Sequence, residues 1–367
     1  MFEKLIEIKS YLEGKFYERE KEIEGLLVSI LARQHMLLIG PAGTAKSLLS
    51  VKLARIVQGA SYFQWLLTRF STPEELFGPV SLKELEQGVY KRNTAGKLPE
   101  AHIGFVDEVF KANSAILNSL LSLINERIFY NNGHPVQTPL ITIVGASNEY
   151  PEEGEGLEAL FDRFLLRYEV DYIADDHNFI GMLKGSNSPA QTPSITLDEL
   201  QNLQFFVDVV SVPDEVFQNL AEIRRKLKDE GIRPSDRRFK QSLSLIRAKA
   251  MLDQRQDVQL KDLMILAHSL WEVPEQKEIV MDVIKEHAQD KVTTLLEEYK
   301  KELNEQLKQA NAQQTTEAVL EATQKLKGLE GNLKMLADQN PDRADVLALL
   351  KEVQEHRQGM AENILTL

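Results

Sequence analysis

The segment GPAGTAKS, Gly40–Ser47, constrains the fold of this chain more than any other feature, because of what stands on either side of it. Before it lies the apolar run Met36–Ile39, which has the length and composition of a buried parallel strand. After it, a helical pattern runs from Lys46 to Val57. A bend between a strand and a helix gathers backbone N–H groups and the positive end of the helix dipole. The segment therefore predicts a phosphate-binding loop; the alternative is a glycine-rich turn that only begins a core helix.

Two side chains of the loop suit a nucleoside triphosphate bound with Mg²⁺. We expect Lys46 to reach the β- and γ-phosphates and the Ser47 hydroxyl to ligate the metal. Ala45 departs from the usual pattern, in which glycine stands directly before the lysine. A positive φ at this position would be unfavourable for alanine. The predicted nucleotide-binding residues of the loop are Gly40, Pro41, Ala42, Gly43, Thr44, Ala45, Lys46, Ser47 and Leu48.

Polar side chains also end two further apolar runs. Asp107 and Glu108 directly follow Ala101–Val106, and adjacent acids at the end of a buried strand are unfavourable unless they meet a cation or water. We expect Asp107 to hold Mg²⁺ through water and Glu108 to activate the attacking water as a general base. Asn148 ends the run Leu140–Ser147, where its amide would position that water. A solvated strand end and a turn asparagine are the alternatives when each motif is taken alone.

Strand-like and helix-like segments alternate over the first half of the chain. This alternation predicts an α/β fold, a parallel sheet covered on both faces by helices. The segment Phe77–Lys97 interrupts the pattern with turn residues, and Ile128–Thr138 does so with Asn132-Gly133, a strong hairpin signal. The other predicted strands are Ser61–Thr68, Ile103–Val106, Leu140–Ala146 and Phe164–Val170, and the clearest helix is Ser114–Arg127.

The composition changes after Val170. A polar segment, Lys184–Ser194, is interpreted as a linker, and helical patterns follow it as far as Trp271. A tail rich in Glu, Lys, Gln, Leu and Ala begins at Pro274, and a break at Asn340-Pro341 predicts a helical hairpin or small bundle. The expected domains are a nucleotide-binding αβα subdomain over 1–174, an all-α subdomain over 175–273 and the helical tail over 274–367.

Charge and composition narrow the function classes. The net charge is −13, from 43 basic and 56 acidic residues, and no basic stripe of the kind that binds nucleic acid is visible. The chain has no cysteine, which excludes disulfides, thiolate metal sites and a cysteine nucleophile. It also lacks a run of about 20 apolar residues and a signal-peptide pattern. We therefore expect a cytoplasmic protein.

These motifs, in this order, resemble the AAA+ ATPases and specifically their MoxR family. The resemblance covers roughly residues 20 to 270, and it implies a five-stranded parallel sheet between helices with an all-α lid. In that family alanine is common directly before the lysine. The matching segments are GPAGTAKS, HIGFVDEVFKAN, NSLLSLINER, GASNE and ALFDRFLLR, and a RavA-like branch is suggested by FSTPEELFGP, PSDRRF and LWEVPEQ.

The resemblance also assigns roles to arginines. It implies that an arginine of one subunit completes the nucleotide site of its neighbour, and Arg163 is the first choice for this finger, with Arg167 second. A plain interface salt bridge is the alternative for Arg163. The resemblance implies that Arg237 is the sensor-2 arginine, which contacts the phosphates of its own subunit, and adjacent Arg238 is the alternative.

For the whole protein, the resemblance implies an ATP- and Mg²⁺-dependent ring motor, a hexamer, that remodels or assembles partner proteins in the manner of a chaperone. A von Willebrand factor A domain protein is the candidate partner. The alternatives are a DNA-acting motor and a scaffold that binds nucleotide without hydrolysis. Phe129–Pro139 contains no lysine or arginine, unlike hairpins that grip DNA phosphates, which favours a protein substrate. The complete set of Lys46, Asp107, Glu108 and Arg163 argues against the scaffold.

Overall fold

The computed structural model describes residues 2–151, 156–185, 192–288, 291–313, 316–341 and 343–366. The chain divides into two compact units, residues 1–284 and 285–367. The predicted linker Lys184–Ser194 lies partly outside the described residues. Among the described helices, none is both long enough and apolar enough to cross a membrane.

The first unit is built on a sheet of five parallel strands in the order β3-β4-β7-β1-β8, which confirms the predicted α/β fold. Strand β1 pairs with the central strand β7 on one side and with the edge strand β8 on the other, so that Met36 lies opposite Val144 and Leu166. The two-residue strands β2 and β9 pair separately, and β5 and β6 form the predicted hairpin. The strands are β1 (Met36–Ile39), β2 (Val57–Gln58), β3 (Tyr62–Leu66), β4 (Ile103–Asp107), β5 (Ile128–Asn131), β6 (His134–Gln137), β7 (Thr142–Ser147), β8 (Leu166–Glu169) and β9 (Ile195–Thr196).

Helices supply most of the remaining structure of the two units. The helices are α1 (Phe2–Glu13), α2 (Glu20–Leu31), α3 (Lys46–Ile56), α4 (Pro73–Phe77), α5 (Leu82–Leu85), α6 (Ser114–Glu126), α7 (Glu158–Arg163), α8 (Asp176–Lys184), α9 (Leu197–Val209), α10 (Asp214–Asp229), α11 (Asp236–Leu252), α12 (Lys277–Ala288), α13 (Lys291–Gln313), α14 (Thr316–Gln339) and α15 (Ala344–Thr366). Short 3-10 segments cover Leu98–Glu100, Val109–Lys111, Leu260–His268 and Pro274–Gln276.

The core of the first unit lies at the middle of the sheet. Every residue of β1 and of β7 is buried, as expected for strands flanked by strands and covered by helices. Helix α2 packs against β1 and β8, and α3 packs against β4 and β7. This arrangement fixes the loop between β1 and α3 at the carboxyl edge of the sheet.

The second unit is a small helical bundle. Helices α13, α14 and α15 contact one another around a leucine-rich core. Helix α14 ends at Gln339 and α15 begins at Ala344, on either side of the predicted break at Asn340-Pro341. The core residues are Leu296, Leu303, Leu326, Leu329, Leu333, Leu336, Val346, Leu349 and Val353. The division of the preceding residues at 174 and 273 stays a prediction.

Candidate active site

The glycine-rich loop starts at a point where only glycine fits. The Gly40 N–H donates to the Ser147 carbonyl at 3.0 Å, at the end of neighbouring β7. A Cβ atom on Gly40 would lie 1.9 Å from the Val170 carbonyl oxygen, just past the end of β8. The loop is therefore held directly against the carboxyl ends of the two strands that flank β1, where ligands of open α/β sheets bind.

Ala45 adopts the left-handed conformation, with φ 67° and ψ 17°, at the N-cap of α3. The positive φ that would disfavour alanine is therefore present. At Gly43, which has φ 85°, no neighbouring heavy atom would lie within 4 Å of a Cβ atom, so the loop borders open space there. The bend and the first turn of α3 together give the backbone geometry of a phosphate-binding loop.

Replacing Ala45 by glycine is expected to raise the free energy of unfolding by about 1 kcal/mol, because a left-handed conformation costs an L-residue roughly that much and glycine nothing. Urea denaturation measures the change. Ala42→Gly is the matched control, since Ala42 is exposed in the same loop and is not among the residues with positive φ. Equal changes in stability for Ala45→Gly and Ala42→Gly would show that the left-handed conformation carries no strain, because glycine loosens the unfolded chain equally at both positions.

The Lys46 side chain folds back onto its own loop. Its Nζ donates to the Gly40 carbonyl at 2.5 Å, to the Pro41 carbonyl at 2.9 Å and to Asn148 Oδ1 at 3.3 Å. Burial lowers the pKa of Lys46, and the charges of Asp107 and Glu108 oppose that shift. The cation therefore faces the acidic strand end predicted to share its site.

Glu108 lies at the centre of a polar network. It has φ 52° directly after β4, and it is 8% exposed. Asn148 Nδ2 donates to Glu108 Oε1 at 2.5 Å, and Lys111 Nζ lies 3.3 Å from Glu108 Oε2. Because Asn148 also accepts from Lys46, one amide joins the loop lysine to the Glu108 carboxylate. The structure thus brings together Lys46, Glu108 and Asn148, three residues predicted from separate motifs.

A mainly apolar cavity of about 530 Å³ adjoins the loop at Gly43, Thr44 and Ala45. Sequence reasoning did not find its walls, which come from the segment before α2, from the segment after β8 and from α8. The Tyr172 hydroxyl donates to the Ala42 carbonyl at 3.4 Å, which ties one wall to the loop. Helix α8 has no buried residue although it is rich in apolar side chains, and that pattern is the signal that could have found it. The other lining residues are Lys15, Phe16, Tyr17, Arg19, Leu48, Lys52, Ile173, Phe179 and Met182.

Arg167 is fixed inside its own chain. It is 1% exposed, and its guanidinium lies 4.1 Å from the centre of the Phe161 ring. Its Nε donates to the Phe164 carbonyl at 3.0 Å and its Nη1 to the Trp271 carbonyl. A guanidinium enclosed in this way has no surface to offer a neighbouring subunit, so the geometry opposes the second choice for the finger.

Arg163 and Arg237 lie together, far from the loop of their own chain. Both line a polar cavity of about 110 Å³ with Gln34 and His35, which directly precede β1. The loop directly follows β1, and a strand of four residues spans about 13 Å. Helix α11 places Arg237 at the opposite edge of the sheet from the loop. This arrangement therefore disfavours the predicted contact of Arg237 with phosphates bound in its own subunit. The remaining lining residues are Arg33, Ile124, Asn125, Arg127 and Gln241.

Arg238, the alternative to Arg237, is a buried structural residue. It is 2% exposed, and its Nη1 donates to the Ser269 carbonyl at 2.7 Å. Its Nη2 donates to Asp162 Oδ1 at 2.5 Å. Arg237 by contrast is exposed and donates to Asn125 Oδ1 at 2.8 Å. Of the two arginines, Arg237 is the one whose guanidinium is accessible.

Comparison with known proteins places this arrangement in a family. Residues 3–205 match the model of the MoxR domain in the MoxR-vWA-beta-propeller ternary systems, and residues 215–284 match an AAA lid domain. An uncharacterised protein of Methanocaldococcus jannaschii is 43% identical over 282 residues, which cover 77% of this chain and 73% of the relative. The chaperone MoxR1 of Mycobacterium tuberculosis is 27% identical over 205 residues, 54% of this chain and 52% of that protein.

A solved structure shares the fold. The crystal structure of a candidate ATPase from Cytophaga hutchinsonii superposes with a TM-score of 0.63 at 18% identity, over 77% of this chain and 94% of that one. These matches do not support the RavA-like branch. The family model covers more than half of the chain, and the lid model follows it in order. The chain belongs to the MoxR family of AAA+ ATPases.

Proposed function

We propose that this chain hydrolyses ATP in sites shared between neighbouring copies of itself, and that it uses the energy to remodel partner proteins. One observation carries the first part of the proposal. Lys46, Asn148 and Glu108 are hydrogen-bonded together at one edge of the sheet, whereas the accessible arginines Arg163 and Arg237 face a cavity at the other edge. A complete phosphate site then needs both edges, and these come from different subunits.

The loop and its surroundings fit ATP bound with Mg²⁺. Gly40–Leu48 would hold the phosphates, and the apolar cavity beside Gly43 has the aromatic walls that suit a base. Ser47 and, through water, Asp107 would hold Mg²⁺, which offsets phosphate charge during transfer. Both residues lie partly exposed at the same edge as Lys46, where a cation could reach them.

The chain's own residues account for hydrolysis. Glu108 accepts the proton of the attacking water as general base, and Asn148 positions that water because its amide touches both Glu108 and Lys46. Lys46 leaves the Gly40 and Pro41 carbonyls to contact the β- and γ-phosphates. Lys111, paired with the second oxygen of Glu108, keeps that carboxylate close to its observed place.

Arg163 and Arg237 act on the neighbouring subunit. Arg163 stabilises charge that develops on the neighbour's γ-phosphate, and Arg237, beside it, contributes a second guanidinium to the same phosphates. Two guanidinium groups on one small polar cavity suit a multiply charged anion. The arrangement supports an assembly in which neighbouring copies share sites, and a hexamer is the state that the family resemblance implies.

Partner proteins, and not DNA, are the proposed substrates. The matched family model is that of the MoxR domain in MoxR-vWA-beta-propeller ternary systems, which supports a von Willebrand factor A protein as partner, and the MoxR1 relative is named a chaperone. The hairpin of β5 and β6 carries His134 but no lysine or arginine, so it lacks the cations that grip a nucleic-acid backbone. The RavA-like branch stays a prediction that rests on three short sequence segments.

The rate of ATP hydrolysis, measured with and without double-stranded DNA, tests the proposal. Wild-type protein is expected to hydrolyse ATP when Mg²⁺ is present, at a rate that DNA leaves unchanged, and Lys46→Ala is expected to abolish the activity. Arg55→Ala, which removes an exposed arginine in the last turn of the same helix α3, is the control for a lost surface charge. Stimulation by DNA would favour a nucleic-acid motor, and an inactive wild-type protein with bound nucleotide would favour a scaffold.

A further inference from the structure

We propose that Asp162 is a positioning residue. It holds the arginine finger, Arg163, in place for the nucleotide site of the neighbouring subunit, and it connects Arg163 to the lid through Arg238. The inference rests on the proposed function, in which Arg163 completes the site of a neighbouring subunit. It adds a residue that touches neither nucleotide nor water. It also gives the lid a direct mechanical connection to the finger.

Asp162 divides its two carboxylate oxygens between the two arginines. Its Oδ2 lies 2.8 Å from Arg163 Nη1, and its Oδ1 lies 2.5 Å from Arg238 Nη2. The Asp162 backbone carbonyl also accepts from Arg238 Nη2 at 2.8 Å. Within the described residues, Arg163 Nε has no hydrogen-bond partner, so the Asp162 carboxylate is the main polar restraint on this guanidinium.

Arg238 gives this connection a rigid anchor in the lid. It lies in the first turn of α11, whose N-cap Ser235 accepts from the Arg238 backbone N–H. The Arg238 side chain is 2% exposed and also donates to the Ser269 carbonyl. Arg237 is the preceding residue on the same turn, so a shift of α11 moves Arg237 directly and moves Arg163 through Asp162. The Asp162 carboxylate thus sets the distance between Arg163 and Arg237, the two arginines proposed to act on the neighbouring subunit.

The local charges keep Asp162 ionised, as this role requires. Burial alone would raise the pKa of Asp162, but the hydrogen bond from Arg238 and the charges of Arg238, Arg167 and Arg163 lower it overall. Arg237 has its pKa lowered by burial and by the neighbouring charge of Arg163. Several guanidinium groups therefore repel one another around a single carboxylate. Without that negative charge, Arg163 would lose the ion pair that restrains its side chain and the charge that offsets repulsion from the neighbouring guanidinium groups.

Rings mixed from two variants separate the subunit that gives the finger from the subunit that binds the nucleotide. Arg163→Ala subunits keep the loop but lack the finger, and Lys46→Ala subunits keep the finger but lack a working loop. The active sites of the mixture are therefore those in which an Arg163→Ala subunit receives the finger of a Lys46→Ala neighbour. Asp162→Asn is then placed in the finger-giving subunit. Asparagine can still accept from Arg238 through its oxygen, but its NH₂ group cannot accept from Arg163. Asp345→Asn, which breaks the exposed Arg343–Asp345 pair of the bundle, is the matched control.

We expect Asp162→Asn in the finger-giving subunit to lower kcat of the mixed rings by about tenfold with little change in KM, since a misplaced catalytic group costs rate more than substrate binding. The same substitution in the receiving subunit, which has no finger, is expected to have a clearly smaller effect. Equal losses from both placements would indicate a purely structural role and overturn the inference. No loss from the finger-giving placement would also overturn it. If the parent mixture itself is inactive, the proposed trans role of Arg163 fails, and the inference fails with it.

Discussion

Glu108→Gln is expected to lower the rate of ATP hydrolysis by about 100-fold or more, because an amide cannot accept the proton of the attacking water. The substitution preserves shape, and the glutamine oxygen can still accept the hydrogen bond that Asn148 now donates to Glu108. Lys46 and the loop are untouched, so the affinity for ATP should be retained. Steady-state hydrolysis gives the rate, and binding of a fluorescent ATP analogue gives the affinity.

Glu149→Gln is the matched control for this experiment. Glu149 is an exposed carboxylate one residue beyond Asn148, and it lines a cavity that also contains Glu108. Loss of its charge is expected to leave turnover close to that of the wild type. Near-normal turnover of Glu108→Gln itself would contradict the assignment of Glu108 as the general base. Loss of ATP binding in that variant would instead indicate a role in building the site.

Arg163→Ala is expected to lower kcat by about 10³-fold, the lower end of what an arginine finger contributes, while the protein still binds ATP and assembles. The large effect follows from position, because Arg163 lines the polar cavity with a guanidinium whose Nε has no hydrogen-bond partner within the described residues. Steady-state kinetics measures kcat, and sedimentation velocity shows whether the rings persist.

Two other arginines sharpen the interpretation. Arg225→Ala removes a largely exposed arginine of α10 and should leave kcat unchanged. Arg167→Ala removes a buried cation that contacts Phe161 and Trp271, and it should lower the free energy of unfolding by about 3 kcal/mol or more. If Arg167→Ala were stable and as inactive as Arg163→Ala is expected to be, the finger would have to be reassigned.

Much of the candidate site could be predicted because its parts are local patterns. The run Met36–Ile39 followed by Gly40–Ser47 specifies a strand, a bend and a helix from residues adjacent in the chain. Asp107-Glu108 and Asn148 each stand at the end of an apolar run, and parallel strands bring such ends to one edge. The hairpin at Asn132-Gly133 follows from turn chemistry in the same way.

The rest depended on contacts between residues far apart in the chain. Whether Arg167 is exposed is decided by Trp271, more than a hundred residues later, whose carbonyl and ring enclose the guanidinium. The edge at which Arg237 lies is decided by the packing of α11 beside the residues that precede β1, which no local pattern encodes. The apolar cavity beside the loop likewise combines α8 with the segment before α2.

The rate of ATP hydrolysis per subunit, measured over a series of protein concentrations, tests the shared site most directly. Sedimentation at each concentration reports the fraction of subunits in rings. If Arg163 and Arg237 complete a neighbour's site, the rate per subunit rises with concentration and follows that fraction to a plateau. A rate per subunit that stays constant while the protein passes from separate subunits to rings would contradict the account, because each chain would then hydrolyse ATP by itself.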